Sequence, residues 1–337
     1  WQTYHDNPVI DLGMKDFRDP KVVWNTVNKA WVMSVVKPHE YTVSFYQSQD
    51  LKQWELLSEF TNKNGTDGVW ECPDLFPLAV DGDPTKIKWV LFVSVNPGGV
   101  TGGSGTQLFI GNWNGKEFVP DDVTTRWLDY GRDNYAGVTF NDAPDNRRIY
   151  LGWMNNWDYA KEFPTSPWRG SMTLPRELTL NLDEGKFYLC ANPVTELRNY
   201  VGEKISAGEG AELLEIKASI STSEGASTKI RVAGDDGKFF EFGYDAQSNS
   251  LFIDRTSAWN EIPSSHIHST PVSKDLKTFE ISAIVDRSSI EVFAADGRYV
   301  ISDLLFLPGA SRQVTFEISQ GCQPPRSMSV HHLTPPH

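Results

Sequence analysis

The chain has 337 residues, of which 39% are hydrophobic, enough to bury one large core or two ordinary ones. It carries 31 Lys and Arg against 44 Asp and Glu, a formal net charge of -13 at pH 7. A surface this acidic repels nucleic acid and anionic membranes, so neither is an expected partner.

The cysteines and histidines form no pattern that indicates a metal site. Cys72, Cys190 and Cys322 are too few for a disulfide framework, and no Cys or His spacing is typical of zinc. No run approaches 18 consecutive apolar residues. The sequence therefore predicts no metal, no cofactor and no membrane span.

Short β-branched or aromatic runs, bounded by turn residues, follow one another from residue 31 onward. Such runs predict β-strands, and helical periodicity is absent except for one turn near residues 194–200. A loose repeat consists of a strand, a second strand and a turn with an aromatic residue. Periods of roughly 40–60 residues with about four strands each are typical of propeller blades. The repeated runs are 31–36, 43–47 and 50–54, then 89–93, 106–111 and 114–118, then 149–153.

The pattern changes near residues 175–192, after which plain apolar and polar alternation predominates. Alternating runs separated by Gly- and Asp-rich turns favour a β-sandwich. We therefore predict an all-β protein with a β-propeller at residues 1–185, a linker at 186–202 and a β-sandwich at 203–337.

Each predicted blade is introduced by an acidic residue, namely Asp19, Glu71 or Asp133, with separations of 52 and 62 residues. The first strand of every propeller blade lines the central axis, so equivalent residues should converge there. Carboxylates brought together repel one another and lose hydration, and at least one should have a raised pKa. That arrangement is typical of a glycosidase. The alternative is that these acids cap turns or pair with Arg18 and Arg132.

Two specific strings are Phe-Arg-Asp-Pro at residues 17–20 and Trp-Glu-Cys-Pro-Asp at 70–74. Together with further strings in the expected order, they resemble glycoside hydrolase family 32, which contains invertases, exo-inulinases and levanases. The resemblance covers essentially the whole chain and implies a five-bladed β-propeller followed by a β-sandwich. The remaining similar strings lie at 133–136, 152–157, 164–169 and 285–293.

The resemblance also implies roles for individual residues. Glu71 corresponds to the general acid/base, and Asp19 to the carboxylate that stabilises the transition state. The positions that correspond to substrate-binding residues are Arg18, Asp133, Trp157 and Cys72. We expect Cys72 to tune packing and local polarity rather than to react.

One element of the family pattern is missing from this sequence. The family's nucleophile is an Asp in an N-terminal motif of the type Trp-x-Asn-Asp-Pro-Asn-Gly, which does not occur here. The nearest string, at residues 6–8, lies too close to Asp19 to open a separate blade. We therefore expect a propeller that is incomplete at its N-terminus. A separate N-terminal fragment of the same precursor is an expected partner, and activity should require that segment.

The activity implied is that of a retaining exo-glycosidase that hydrolyses terminal β-D-fructofuranosyl residues of inulin, levan and sucrose. Two alternatives stay open: a fructosyltransferase that builds fructo-oligosaccharides from sucrose, and a non-catalytic fructan-binding protein. The string at 70–74 and the downstream sandwich argue against a related inverting enzyme acting on arabinan. The sequon at Asn64 fits a secreted, extracellular glycoprotein.

Overall fold

The computed structural model describes residues 2–62, 68–162, 164–206, 209–222, 225–258, 266–307, 311–316 and 321–334. Within these ranges the chain consists of strands and a few short 3-10 helices, which confirms the predicted all-β class. No helix in them is long and apolar enough to cross a membrane. The predicted sequon at Asn64 lies outside the described residues. The 3-10 helices are Pro38–Glu40, Pro144–Asn146 and Thr195–Tyr200.

The chain divides into two compact units, each built from segments that are not continuous in sequence. Unit 1 comprises Trp1–Leu128, Tyr135–Tyr150 and Thr179–Tyr188. Unit 2 comprises Asp129–Asn134, Leu151–Leu178 and Leu189–His337.

The first sheet of unit 1 is an antiparallel meander of four strands. Its second strand is buried almost throughout because it is rich in Val, whereas the fourth is largely exposed. The first strand pairs with the second, and their register shifts between Arg18 and Lys21. The strands are β1 (Arg18–Asn25), β2 (Ala30–Lys37), β3 (Thr42–Ser48) and β4 (Glu55–Thr61).

A second antiparallel meander in unit 1 repeats this plan, as the sequence predicts. Its first strand shifts register against the next one between Glu71 and Asp74. An aromatic core joins the two meanders, with Phe60 against both Trp70 and Phe109. The strands are β5 (Val69–Val80), β6 (Asp83–Asn96), β7 (Gly105–Trp113) and β8 (Phe118–Pro120), and β9 (Arg126–Trp127) pairs with β7.

The next strands are β10 (Tyr135–Thr139), β11 (Ile149–Met154), β12 (Ser171–Met172), β13 (Arg176–Asp183) and β14 (Lys186–Pro193). β10 packs against β5, as β1 does, so β5 contacts strands from two other parts of the sequence within unit 1. β11 coincides with the predicted run at 149–153. The predicted linker at 186–202 contains β14 and the 3-10 helix Thr195–Tyr200, which is the helical turn that the sequence predicts.

Two six-stranded antiparallel sheets form the predicted β-sandwich in unit 2. They share one core, to which Ile216 and Ile281 contribute from one sheet and Phe240 and Phe242 from the other. In one sheet the order is β15 (Val201–Lys204), β26 (Ser327–Leu333), β17 (Leu214–Ser221), β22 (Thr278–Val285), β23 (Ser289–Ala294) and β24 (Tyr299–Leu304). In the other it is β16 (Gly210–Ala211), β25 (Arg312–Thr315), β18 (Thr228–Ala233), β19 (Phe239–Asp245), β20 (Ser250–Asp254) and β21 (Ile267–Pro271).

Unit 2 also buries a charged cluster around Arg176. The fully buried guanidinium lies 2.8 Å from Asp129 Oδ2 and 2.6 Å from Glu291 Oε2, and it donates to Ser302 Oγ at 2.6 Å. Ser302 Oγ in turn donates to Asp129 Oδ2 at 2.7 Å. Charges taken out of water cost several kcal/mol each unless they are paired, so the pairing within the cluster offsets the cost of its burial.

Candidate active site

Each of the three adjacent strands β1, β5 and β10 contains a non-glycine residue in the left-handed backbone region. These residues are Asp19 (φ 62°), Cys72 (φ 46°) and Ala136 (φ 52°). In β1 and β5 they fall within the register shifts. Such conformations cost on the order of 1–3 kcal/mol each and cluster at functional sites. The three strands are therefore distorted at corresponding positions.

Directly before each left-handed residue lies a polar side chain, and these side chains meet at Glu71. Arg18 Nη2 donates to Glu71 Oε1 at 2.8 Å. The Tyr135 hydroxyl donates to Glu71 Oε2. The Glu71 side chain is 19% exposed, so it remains reachable from solvent while both of its oxygens are held.

Asp19 forms the second carboxylate of this cluster. Its Oδ2 accepts a hydrogen bond from the Cys72 backbone N–H at 3.0 Å and lies 3.8 Å from Cys72 Sγ. Arg18 Nε is 3.9 Å from the same oxygen, so one guanidinium lies between the carboxylates of Asp19 and Glu71. The Asp19 side chain is 30% exposed. The site thus presents two accessible carboxylates that a cation keeps close together.

The surroundings keep the other titratable groups of the site protonated. Burial raises the pKa of the Cys72 thiol to about 12, and the negative charges of Asp19 and Glu71 add to the effect. Burial and the hydrogen bond to Glu71 raise the pKa of Tyr135 above its usual value. Burial alone would lower the pKa of Arg18, but the hydrogen bond to Glu71 and the nearby carboxylates outweigh it. At neutral pH the site therefore holds a cation, a phenol and a thiol.

Four of the six predicted site residues come together in unit 1, and the other two, Asp133 and Trp157, belong to unit 2. Asp133 is fully buried. Its Oδ1 accepts from the Tyr159 hydroxyl at 2.5 Å, and its Oδ2 accepts from Arg255 Nη1 at 3.0 Å and the Leu304 backbone N–H at 2.8 Å. A direct contact with a sugar would require this carboxylate to be uncovered first.

Trp157 is 53% exposed, and its ring centroid lies 5.0 Å from that of Trp153 at an interplanar angle of 59°. An exposed aromatic face of this kind can stack on the apolar face of a sugar ring. The role of Trp157 in substrate binding stays a prediction.

Tyr135 is the site residue that the sequence reasoning missed. The repeat was aligned on acidic residues, which selected Asp133 as the third member. The backbone aligns Ala136 with Asp19 and Cys72 instead, so Tyr135 takes the position of Arg18 in the first repeat. No signal in the sequence marks this position, because the conformation of Ala136 becomes visible only in the structure.

The chemical groups of the site are the carboxylates of Glu71 and Asp19. Among the residues that the structure describes, no three His, Cys, Asp or Glu side chains are grouped so that they could hold a metal ion. Proton transfer and charge stabilisation by carboxylates are the reactions that the arrangement can support.

Sequence comparison assigns residues 1–334 to one family. Residues 1–193 match the N-terminal domain of the glycosyl hydrolases family 32, and residues 192–334 match the C-terminal domain of that family. The chain belongs to glycoside hydrolase family 32. The family resemblance carried by residues 17–20 and 70–74 is thereby confirmed.

Relatives within family 32 include a levanase of Bacillus subtilis (strain 168), which is 38% identical over 359 residues, covering 99% of this chain and 53% of the levanase. An extracellular exo-inulinase of Meyerozyma guilliermondii is 34% identical over 351 residues, covering 94% of this chain and 68% of that protein. This chain thus spans about half the length of the levanase and about two thirds of the exo-inulinase.

Solved structures of family 32 match the fold. The crystal structure of an exo-inulinase from Aspergillus awamori superposes with a TM-score of 0.87 at 29% identity, covering 97% of this chain and 70% of that one. A β-fructofuranosidase from Schwanniomyces occidentalis, complexed with fructosyl-erythritol, gives a TM-score of 0.86 at 29% identity, covering 98% and 73%.

Proposed function

We propose that this chain provides the acid/base centre of a retaining exo-β-fructosidase that releases terminal β-D-fructofuranosyl residues from levan, inulin and sucrose. The main observation behind the proposal is that both carboxylate oxygens of Glu71 accept hydrogen bonds, one from Arg18 and one from Tyr135. The carboxylate of Asp19 lies beside the same Arg18 side chain. Membership of family 32 and relatives named levanase and exo-inulinase support the proposal.

In the proposed mechanism Glu71 protonates the glycosidic oxygen as the bond to fructose breaks, and it then accepts a proton from the water that completes hydrolysis. The carboxyl group must point at the leaving oxygen in both steps. Hydrogen bonds from Arg18 and Tyr135, which come from two different strands, limit its rotation. These two residues therefore orient the acid and do not themselves transfer the proton.

Asp19 is proposed to bind fructose hydroxyl groups and to stabilise the positive charge that develops on the sugar ring. The Cys72 N–H holds one oxygen of Asp19 in place. A retaining glycosidase also needs a carboxylate nucleophile about 5–5.5 Å from the acid. The family resemblance assigns that role to a motif that this sequence does not contain, so Asp19 is proposed as a stabiliser only.

The two predicted residues in unit 2 receive different roles. Trp157 is proposed as a platform for a sugar ring because its ring is exposed beside Trp153. Asp133 is proposed to act structurally, because Tyr159, Arg255 and Leu304 occupy both of its oxygens. We also propose that the protein is secreted, in line with relatives whose names describe them as extracellular.

The proposal is tested by the release of fructose from levan, inulin and sucrose. The assay is run on the chain alone and after mixing with a polypeptide that carries the family's nucleophile motif. Nuclear magnetic resonance of the first product gives the anomer, which is β if the configuration is retained. Fructose that appears in longer oligosaccharides would indicate transfer instead of hydrolysis. Absence of fructose release in both arms would contradict the proposal.

Replacement of the acid is the matched test of its role. Glu71→Gln keeps the shape of the side chain but removes the proton donor, and we expect kcat to fall by about 10²–10⁴-fold. Glu117→Gln, an exposed carboxylate elsewhere in unit 1, is the control and should behave as wild type. A Glu71→Gln variant with a wild-type rate would remove Glu71 from the acid role.

A further inference from the structure

The strands β1, β5 and β10 carry a second polar cluster a few residues beyond the first. Its members are Lys21, Asp74 and Thr139, one from each strand. In β1 and β5 the member lies two residues after the left-handed residue, and in β10 it lies three residues after it. The three strands therefore meet twice, once at Glu71 and once at Asp74.

Contacts within this second cluster converge on one oxygen of Asp74. Asp74 Oδ2 accepts the Thr139 backbone N–H at 2.7 Å and the Thr139 hydroxyl at 2.9 Å. Lys21 Nζ lies 3.6 Å from the same oxygen and donates to the Thr139 carbonyl. A single carboxylate on β5 thus contacts a residue of β1 and a residue of β10.

Burial of the Asp74 carboxylate has a cost in folding free energy. The side chain is fully buried, and burial raises its pKa against the opposing effects of Lys21, Thr139 and Arg148. Arg148 Nη1 also donates to the Thr139 hydroxyl at 3.3 Å and to the Phe140 carbonyl at 3.1 Å. A buried carboxylate costs several kcal/mol before its partners offset it, and an apolar residue would fill the same space at no such cost.

The two clusters are linked by the backbone distortions that lie between them. Left-handed conformations of residues with side chains persist only where the surrounding structure fixes them on several sides. The hydrogen bonds at Glu71 fix the distorted segments on one side, and those at Asp74 fix them on the other. Loss of the hydrogen bonds at Asp74 should allow the left-handed segments to return to regular strand conformation. The side chains of Arg18, Glu71 and Tyr135, which directly precede the left-handed residues, should then change their orientation.

We propose that Asp74 is a positioning residue for Glu71: by tying β1 and β10 to β5 it holds the distorted segments that aim the site side chains. The effect of Asp74 on catalysis rests on the function proposed above for Glu71. Within the described ranges of the chain, the hydrogen bonds and the ion pair of the Asp74 carboxylate go to Thr139 and Lys21, which lie outside the first cluster. Asp74 therefore acts on Glu71 through the backbone.

The first test uses Cys72 as a reporter and needs no enzymatic activity. Cys72 lies within the β5 distortion, and it is the one cysteine in unit 1. Asp74→Asn keeps the size of the side chain but removes its charge. We expect alkylation of Cys72 by iodoacetamide, followed by peptide mass spectrometry, to become about tenfold faster. Cys190 and Cys322, which lie in unit 2, should keep their wild-type rates.

Glu291→Gln is the matched control, because it also neutralises a buried carboxylate that pairs with a basic side chain. It should leave the Cys72 rate unchanged. Thermal unfolding of each variant is measured in parallel, so that faster alkylation is compared between proteins that are folded at the assay temperature.

The second test uses fructan hydrolysis. Asp74→Asn should lower kcat by about 10–100-fold and change KM by less than about twofold, because a misaimed acid affects the reacting step more than binding. The pH profile of kcat should also change, which a purely structural loss of folded protein would not cause. If fructose is released neither by the wild-type chain alone nor by its mixture with the polypeptide that carries the nucleophile motif, the proposed function fails, while the alkylation test still decides the role of Asp74.

Thr139→Val is a milder second variant, which tests the same cluster if Asp74→Asn fails to fold. It removes only the hydroxyl that donates to Asp74 Oδ2 and keeps the β-branched shape that suits a strand. We expect a smaller acceleration of Cys72 alkylation, of about twofold to threefold. Wild-type alkylation rates in both Asp74→Asn and Thr139→Val would overturn the proposal.

Discussion

The hydroxyl of Tyr135 donates a hydrogen bond to Glu71 Oε2 across 64 positions of sequence. On the other side of the carboxylate, Arg18 Nη2 reaches Oε1 at 2.8 Å. Two donors of different charge therefore hold one carboxylate, and removing either should affect the site in a different way. The Tyr135 phenol orients the Glu71 carboxylate without adding charge, whereas the Arg18 guanidinium both orients it and adds a positive charge.

Tyr135→Phe should lower kcat for fructan hydrolysis by about tenfold while KM changes less than about twofold. The substitution removes the donor to Glu71 and keeps a ring that is almost fully buried. Steady-state kinetics measure the effect. Tyr46→Phe, another buried tyrosine in unit 1, is the control and should leave kcat unchanged. Wild-type kcat in Tyr135→Phe would show that the hydrogen bond does not orient the acid.

Cys72 should be nearly inert towards alkylation at neutral pH, because the thiolate is the reactive form and the pKa of this thiol is about 12. We expect iodoacetamide at pH 8 to react at least about a hundredfold more slowly with Cys72 in the folded protein than in the unfolded chain. The rate should keep rising with pH up to 10. A plateau near pH 9 would contradict the raised pKa.

The same shift predicts how stability depends on alkaline pH. Folding raises the pKa of Cys72 from 9.0 to about 12, so the folded state binds the proton more tightly than the unfolded state. The contribution is fully present below pH 9.0, and it decreases as the pH rises from there towards 12. Cys72→Ala should flatten this part of the curve of unfolding free energy against pH, measured in urea. An unchanged slope would argue against the effect.

Arg176→Met should destabilise unit 2 by about 3–5 kcal/mol, because it leaves two buried carboxylates, Asp129 and Glu291, without their cation. Arg287→Met is the control. Arg287 pairs with Glu212 at the surface, where their side chains are 61% and 38% exposed, and its loss should cost at most about 1 kcal/mol. Urea unfolding measures both. Equal losses would show that burial does not set the strength of these pairs.

Asp303 provides a prediction for acid pH. Burial alone would raise its pKa, but His268, 2.7 Å away, and Arg255 outweigh burial and lower it below 3.8. The ionised carboxylate therefore stabilises the fold above pH 3.8, and this contribution is lost as the pH falls through the lowered value. Asp303→Asn should be less stable than wild type at pH 6, with a gap that narrows towards pH 3. A constant gap would contradict the lowered pKa.

Regular structure was predictable from the sequence where local pattern decides it. The runs at 31–36 and 89–93 became β2 and β6 because β-branched and aromatic residues suit a buried strand. The sandwich followed from alternation of apolar and polar residues, which matches the period of a strand. The cluster of Arg18, Asp19, Glu71 and Cys72 was predicted from the family motifs.

Tyr135 and the burial of Asp133 were not predictable in the same way. The equivalence of Tyr135 with Arg18 and Glu71 is set by a left-handed residue that follows each of them, and Ala136 gives no sign of that conformation in sequence. Asp133 is buried by partners far along the chain, including Arg255 and Leu304. The periodicity of apolar residues indicates which face of a strand is buried, but it does not indicate contacts between residues that are more than a hundred positions apart in sequence.

The register shifts in β1 and β5 increase the number of side chains that one strand can place in the same site. Neighbouring residues of a regular strand point to opposite faces, so a strand offers a given site every second side chain. At a bulge this alternation is interrupted. Arg18 and Asp19 consequently reach the same cluster, as do Glu71 and Cys72. Two strands supply four adjacent functional groups, and a substitution that restored regular pairing would turn half of them away from the cluster.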